Sequence, residues 1–254
     1  MRLQRGGLTA AAILILLMMS PRAEAVILAS DDFSGPGSGT GWAAGNNWEG
    51  LAGGQGTTAG GVTSFRDFAA PIDGTNQVTY LRFDFTQSVP GAGAQWGGAA
   101  LFEGTEGAPG DETLFVGDPG PVAPGPVATQ HQYGLDQLGG PATLFSGIPI
   151  NNQTHTLIVA ADTTPAGPSA THRLWVDNFN ISTPTATVTV ANSTINAPWR
   201  TFRLAADATN TDLFDNLTIA TTAREVGLVP EPASLGLIGL VAVAMLSAAS
   251  RRRR

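Results

Sequence analysis

The groups best suited to acid–base or metal chemistry are acidic residues, and one cluster of them surrounds glycine-rich turns. Glu103, Glu106, Asp111 and Glu112 fall within ten residues. Carboxylates at that density can serve as a glycosidase pair or as a calcium loop. The spacing of three between Glu103 and Glu106 would point their side chains to opposite faces of an extended strand. We therefore expect these carboxylates to be solvated loop charges.

No other pattern in the sequence supports catalysis. The three histidines, His131, His155 and His172, have no metal-ligand spacing, and the chain has no cysteine. The sequence also lacks a Gly-x-Ser-x-Gly nucleophile elbow, a phosphate-binding loop and a dinucleotide fingerprint. It therefore predicts a protein that is not an enzyme.

Two tryptophans indicate a different activity, which is binding. Trp42 and Trp48 lie in a segment, 35–61, that holds 11 glycines. An exposed indole in such a loop is costly unless a ligand covers it, and an indole can stack on a sugar ring. One hypothesis is therefore that Trp42 and Trp48 bind carbohydrate. The alternative is that each indole is a plug that pins the loop to a sheet.

Three further carboxylates could hold a structural calcium ion. Asp31 and Asp32 lie near the end of the run 26–33, and Asp215 lies in the run 213–220. If the first and last strands pair, these oxygen ligands come together, and oxygen is the ligand that calcium prefers. Ordinary strand-end charge is the alternative. The sequence indicates no other cofactor.

The elements that must position these groups are short β-strands. Runs of apolar and β-branched residues alternate with turns, and the chain has 32 glycines and 17 prolines. In the run 78–85, Leu81, Phe83 and Phe85 recur at every second position and should face a core. About ten to twelve such strands without helical periodicity predict an all-β fold, an antiparallel two-layer β-sandwich. No fixed internal period supports a propeller or a β-helix.

The charge balance excludes one class of partner. Between 26 and 229, six arginines stand against 18 acidic residues, which gives a net charge of −12, and the chain has no lysine. Such a surface repels nucleic acid and anionic lipid. We therefore predict no nucleic-acid partner.

The N-terminus carries an export signal. Arg2 and Arg5 precede an apolar run, 8–19, and Ala23 and Ala25 form an Ala-x-Ala site. This pattern predicts a signal peptide, 1–25, that signal peptidase removes after Ala25. An uncleaved membrane anchor is the alternative.

The C-terminus carries a membrane anchor. Residues 233–250 are 18 uncharged residues, which form a helix of about 27 Å, near the lower limit for a transmembrane span. The four residues that follow would remain in the cytoplasm because guanidinium groups are costly to move through lipid; they are Arg251, Arg252, Arg253 and Arg254.

This C-terminal pattern resembles the bacterial PEP-CTERM sorting signal. The resemblance rests on Val229, Pro230, Glu231 and Pro232, followed by the apolar helix and the four arginines. It implies processing by exosortase, a membrane-embedded, transpeptidase-like enzyme. It also implies anchoring in the inner membrane of a Gram-negative-type bacterium, followed by delivery to the cell surface or extracellular matrix. A plain tail anchor behind a proline-rich linker is the alternative.

The exported segment resembles concanavalin A-like and laminin G-like jelly rolls. The resemblance rests on four strings: DDFSG at 31–35, LFVGD at 114–118, LWVDNF at 174–179 and FDNLTI at 214–219. It implies that the first and last strands are neighbours in one sheet and that a structural calcium ion is a frequent feature.

These patterns divide the chain into five parts and lead to two alternative functions. The parts are a signal peptide (1–25), a β-sandwich (26–222), a linker with the Pro-Glu-Pro motif (223–232), a transmembrane helix (233–250) and a cytoplasmic arginine tail (251–254). The expected function is that of a non-catalytic envelope or matrix protein. The alternative is a lectin-like module of the cell surface that binds extracellular polysaccharide.

Overall fold

All regular structure in the described part of the chain is β-strand. The computed structural model describes residues 25–48, 51–52, 55–59, 63–73, 77–87, 96–104, 112–120, 131–136, 143–164, 169–191, 198–207 and 211–230. None of these residues forms a helix long and apolar enough to cross a membrane. The predicted helices of the signal peptide and of 233–250 lie outside the described residues.

Fourteen strands lie within these residues. In chain order they are β1 (Ile27–Asp31), β2 (Leu51–Ala52), β3 (Gln55–Ala59), β4 (Thr63–Ile72), β5 (Val78–Gln87), β6 (Gly97–Phe102), β7 (Glu112–Asp118), β8 (Gln132–Asp136), β9 (Thr143–Pro149), β10 (His155–Asp162), β11 (Ser169–Val176), β12 (Ala186–Ala191), β13 (Trp199–Ala206) and β14 (Thr211–Ala220).

The strands form two antiparallel sheets. The large sheet has the order β12-β11-β10-β5-β14-β3-β2, and β1 pairs with β14 beside this path. The small sheet has the order β4-β13-β6-β7-β8-β9. Buried residues of both sheets belong to one hydrophobic cluster, as Phe83 and Phe214 of the large sheet and Leu114 and Phe202 of the small sheet do. The predicted all-β sandwich is therefore confirmed.

The alternation in β5 shows how the sequence specifies this core. Leu81, Phe83 and Phe85 are buried, whereas Tyr80 and Arg82 are only partly covered on the opposite face. Phe214 of the neighbouring strand packs against Phe85 with ring centroids 5.1 Å apart and the ring planes tilted by 34°. A slip of one residue would turn these aromatic side chains outward, so burial fixes the register of the pair.

The first and last strands are neighbours, as the jelly-roll resemblance implied. Ser30 is opposite Thr218 and Asp31 is opposite Leu217. Because β14 also pairs with β5 and β3, it connects the amino-terminal strand to the centre of the large sheet.

Two local assignments from the sequence differ from the structure. The glycine-rich segment 35–61, which was predicted to be a loop, contains β2 and β3. The sequence also gave no prediction for β8, although Tyr133 and Leu135 alternate there and are both buried. β3 pairs with the distant strand β14, which a local pattern does not contain, whereas β8 pairs with the preceding strand β7.

The folded unit extends past the predicted boundary at 222. Residues 221–229, here called the C-terminal strap, pack on the outer face of the large sheet. There Val226 and Leu228 join a second hydrophobic cluster with Ile158 and Trp175. The domain therefore runs to Val229, and only 230–232 of the predicted linker follow it.

We predict that the strap stabilises the sandwich. A chain of residues 26–222 loses two buried side chains, Val226 and Leu228, and uncovers part of Trp175. Its free energy of unfolding should be lower than that of 26–229 by about 3 kcal/mol or more. Urea denaturation of the two chains measures the difference. The variant Arg224→Ala of 26–229 is the control, since Arg224 is exposed in the same segment; equal stability of 26–222 and 26–229 would refute the prediction.

Candidate functional site

Asp31 lies at the end of β1 and faces the interior of the sandwich, where four donors surround its carboxylate. Oδ2 accepts hydrogen bonds from Arg66 at 2.5 Å and from the Trp48 indole at 2.8 Å. Oδ1 accepts them from the Phe33 amide at 2.7 Å and the Ser38 hydroxyl at 2.5 Å. Because a positive charge and three neutral donors already satisfy this carboxylate, Asp31 does not fit the role of a calcium ligand predicted for it.

Trp42 and Trp48 belong to the core, and the prediction that they present an indole face to sugar is corrected. Only 8% of Trp42 and 4% of Trp48 is exposed. Trp42 stacks on Phe68 with centroids 5.2 Å apart, and Trp48 packs edge-on against Phe202 at 6.3 Å. Both indoles anchor the loop to the sandwich, as in the alternative given above.

Asp32 and Asp215 do lie near each other, because β1 pairs with β14. Asp32 borders a polar cleft of about 500 Å³, and Asp215 is not among its lining residues, which are Ser30, Asp31, Asp32, Gly39, Arg82, Asn216, Leu217 and Thr218. Burial raises the pKa of Asp215, a hydrogen bond from Asn216 opposes this effect, and the charges of Asp84 and Asp32 add to it. No group of three or more His, Cys, Asp or Glu side chains is placed to hold a metal ion in the described part of the chain.

The three histidines are buried, which the sequence did not predict. At most 8% of any of them is exposed. His172 is opposite Ala161, so it lies six residues along β10 from His155 and is not its neighbour. Burial lowers the pKa of His172 to about 4, so its imidazole is neutral near pH 7.

Besides the group around Asp31, a second cluster of buried polar side chains lies where β5 ends and β14 begins. It contains two carboxylates, those of Asp118 and Asp212. Asp118 accepts a hydrogen bond from Gly120 and lies 2.7 Å from Nδ1 of His131. Asp212 is fully buried, and neither of its oxygens has a hydrogen-bond partner. A side chain at position 97 would overlap the Asp212 carboxylate, so glycine is required there. Burial, and secondly the charge of Asp118, raise the pKa of Asp212 to about 9.

The arrangement best suited to a ligand is a cleft of about 260 Å³ on the outer face of the small sheet, here called the Trp96 cleft. Its lining residues are Trp96, Glu112, Phe115, Pro119, Asp136 and Arg203. Trp96 and Phe115 meet edge to face at 6.1 Å, and the Arg203 guanidinium lies 5.6 Å from the Trp96 ring. The cleft thus combines aromatic surface with groups of both charges.

Glu112 and Arg203 form the polar side of this cleft. Oε2 of Glu112 is 2.6 Å from the Arg203 guanidinium. Oε1 of Glu112 and Nε of Arg203 are buried without a hydrogen-bond partner. Burial raises the pKa of Glu112 to about 6 against the opposing charge of Arg203, so it is mainly ionised at neutral pH. Sequence reasoning had placed Glu112 among solvated loop charges, whereas it begins β7 and is buried.

Comparison with known proteins identifies the C-terminal segment. Residues 228–254 match the family model described as the PEP-CTERM protein-sorting motif. This chain ends in a PEP-CTERM motif. The motif indicates export, sorting through a membrane-anchored C-terminus and exosortase processing. No curated protein matches the sequence.

Comparison with solved structures bears on the fold of the sandwich. Lectin I from Ulex europaeus, in complex with the methyl glycoside of α-L-fucose, is 12% identical with a TM-score of 0.51 and matches 79% of this chain and 99% of its own. A carbohydrate esterase from Shiga toxin-encoding bacteriophage phi24B is 14% identical with a TM-score of 0.47 and matches 78% and 99%. The Emp47p carbohydrate recognition domain is 12% identical with a TM-score of 0.45 and matches 76% and 94%. The first of these confirms the concanavalin A-like jelly roll.

The PEP-CTERM motif begins inside the folded domain. Leu228 is 2% exposed and Val229 is hydrogen-bonded to Phe179 and Ile181 in the loop between β11 and β12, whereas Pro230 is exposed. At the other end of the domain, Ala25 is exposed and Val26 is bonded to Thr221. Ala23, Glu231, Pro232 and the four terminal arginines lie outside the described residues.

We predict that Asp212 makes the stability of the domain depend on pH. The folded chain holds this proton up to about pH 9, whereas the unfolded chain releases it near pH 3.8. The contribution of Asp212 to the free energy of unfolding should therefore fall as pH rises between these values, by at most about 1.4 kcal/mol per pH unit. Urea denaturation of residues 26–229 at pH 5 to 8 measures the slope.

The variant Asp212→Asn should remove most of this slope, because the amide carries no titrating proton. Asp32→Asn is the matched control, since hydrogen bonds from Ser34 lower the pKa of the exposed Asp32 and it titrates below this range. A slope that is unchanged in Asp212→Asn would show that Asp212 is ionised in the folded chain.

Proposed function

We propose that this chain is a non-catalytic bacterial surface protein, which is exported, anchored through its tail and then transferred to the cell surface or extracellular matrix. The observation that carries the proposal is a PEP-CTERM motif that follows directly on an acidic lectin-like sandwich. The net charge of −12 between 26 and 229 favours solubility outside the cell and disfavours a nucleic-acid partner.

The state of the carboxylates supports a non-catalytic role. A glycosidase needs a carboxylic acid that is protonated at working pH next to a second carboxylate. Glu112 and Asp136 share the Trp96 cleft, but Glu112 forms an ion pair with Arg203 at 2.6 Å, which favours its ionised form. Glu112 is therefore better suited to accept hydrogen bonds than to protonate a leaving group.

The sorting part of the proposal is tested by the mass of the mature protein. We expect mass spectrometry of the chain from its own host to show an N-terminus at Val26 and a C-terminus that lacks the arginines. An exosortase-deficient host should retain the full tail. A mature C-terminus at Arg254 in both hosts would leave a simple tail anchor.

A second function, saccharide binding, is favoured by the Trp96 cleft. Aromatic rings offer apolar faces to sugar rings, while ionised side chains accept or donate hydrogen bonds to hydroxyls. Glu112 and Arg203 line the cleft beside these rings and bring an ionised acceptor and an ionised donor to its wall. The cleft volume lies just below that of typical small-molecule sites, which suits one sugar ring.

This second function predicts that Trp96 and Glu112 control retention on the host's extracellular polysaccharide. Trp96→Ala and Glu112→Gln should each weaken binding by about tenfold or more, measured by affinity electrophoresis with the purified polysaccharide. Phe179→Ala is the control, because Phe179 is an exposed aromatic residue outside the cleft. Thermal melting separates lost affinity from lost folding.

Two outcomes of the same assay would contradict the proposal. Binding that is equal in all three variants would exclude the Trp96 cleft as the sugar site. New reducing ends in the polysaccharide after incubation, absent in Glu112→Gln, would show that the cleft is catalytic.

A further inference from the structure

The beginning of the PEP-CTERM motif is held by the domain that it sorts. The backbone amide of Val229 donates to the carbonyl of Phe179 at 2.8 Å, and its carbonyl accepts from the amide of Ile181 at 3.0 Å. Both backbone groups of Val229 are therefore occupied by the large sheet's neighbouring loop. The side chain of Leu228 is buried with Trp175 and Ile158.

A turn with the hydrogen-bond pattern of a helix C-cap precedes this contact in the C-terminal strap. The amide of Leu228 donates to the carbonyl of Ala223 at 2.9 Å, and that of Gly227 donates to Arg224 at 3.0 Å. This pair of bonds, with Gly227 at φ +84°, is the Schellman arrangement, and the accompanying contact joins Leu228 to the cluster of Ala223. The strap thus has a defined conformation, and the sorting motif begins at its end.

The strap is held by a hydrophobic cluster that is separate from the main core. Its cluster lies on the outer face of the large sheet and includes Val226 and Leu228, whereas the interior cluster between the sheets includes neither. Local release of such a segment costs less than global unfolding, because the main core remains packed.

We propose that the sandwich domain gates removal of its own tail, and that the processing enzyme acts on the state in which the strap has opened. This inference rests on the proposed function. An enzyme that cleaves a peptide needs an extended segment on both sides of the bond, and in the closed state the chain leaves the domain only at Pro230. Removal of the tail breaks one peptide bond, passes the acyl group to water or an amine, and leaves the tail with a new amino terminus.

If the enzyme acts only on the open state, the rate of tail removal is proportional to the fraction of chains in which the strap is open. Leu228→Ala removes buried contacts of the strap and should raise that population by about tenfold or more. A short Gly/Ser insertion between Val229 and Pro230 leaves the strap closed but moves the Pro-Glu-Pro motif away from the domain, so that the enzyme has access to it. Both variants should therefore accelerate processing of the full chain.

Pulse-chase labelling of the full chain in an exosortase-bearing host measures the rate of tail loss. The control is the same Gly/Ser insertion between Asn152 and Gln153. Both residues are exposed in a turn that is distant in sequence from the strap. Faster loss in Leu228→Ala and in the Val229–Pro230 insertion, but not in the control, supports the gate. Equal rates in all four chains overturn it.

A second measurement separates this inference from the proposed function. If no chain loses its tail in the host, the proposed processing fails, and the gate is then judged on purified full chain with a proline-specific endopeptidase. Cleavage after Pro230 or Pro232 that is about tenfold faster in Leu228→Ala than in the unsubstituted chain supports the gate. Equal cleavage rates overturn it.

Discussion

A buried ion pair between Asp31 and Arg66 connects the two sheets of this domain. Asp31 ends β1 of the large sheet and Arg66 lies in β4 of the small sheet, and their side chains are almost fully buried. Burial lowers the pKa of Arg66, and the charge of Asp31 acts in the opposite direction. Removing either partner would leave an unpaired charge in the core, a loss of about 3 to 5 kcal/mol in comparable cases.

The loop between β1 and β2 depends on this pair. Arg66 also donates to the carbonyls of Ser38 and Asn46, and its guanidinium lies 5.0 Å from the Trp42 ring. Trp48 donates to Asp31 from the other side. The hydrogen bonds of Asp31 and Arg66 therefore fix the backbone conformation of this glycine-rich loop. The indoles of Trp42 and Trp48 then pack in the interior cluster. Saturation of Asp31 by these donors is the reason why it is unavailable to a cation.

The outer faces of the sheets carry the features that bear on function. On the large sheet, the strap covers apolar residues and connects the domain directly to its sorting motif. On the small sheet, the Trp96 cleft collects an ion pair and two aromatic rings around a space the size of a sugar ring. Neither feature disturbs the interior cluster, so the C-terminal strap and the Trp96 cleft lie on a common scaffold.

Much of the fold followed from local patterns, but the site did not. Alternation in 78–85 and the turn composition indicated strands and a sandwich, since side-chain direction in a strand depends only on position along it. The Trp96 cleft draws on the residue before β6, on β7 and β8 and on β13, and β13 is distant in sequence from the others. Glu112 and Arg203 gave no sequence signal of their pairing, because 91 positions separate them.

The sequence by itself determined the C-terminal sorting motif and the layered β architecture. Both depend on runs of consecutive residues: an apolar stretch with arginines for the tail, and period-two hydrophobicity for the strands. Only the tertiary structure decided that Trp42, Trp48 and Asp31 are interior groups and that the domain reaches Val229. Burial and pairing depend on which distant segments meet across the sheets, and that is a property of the folded chain.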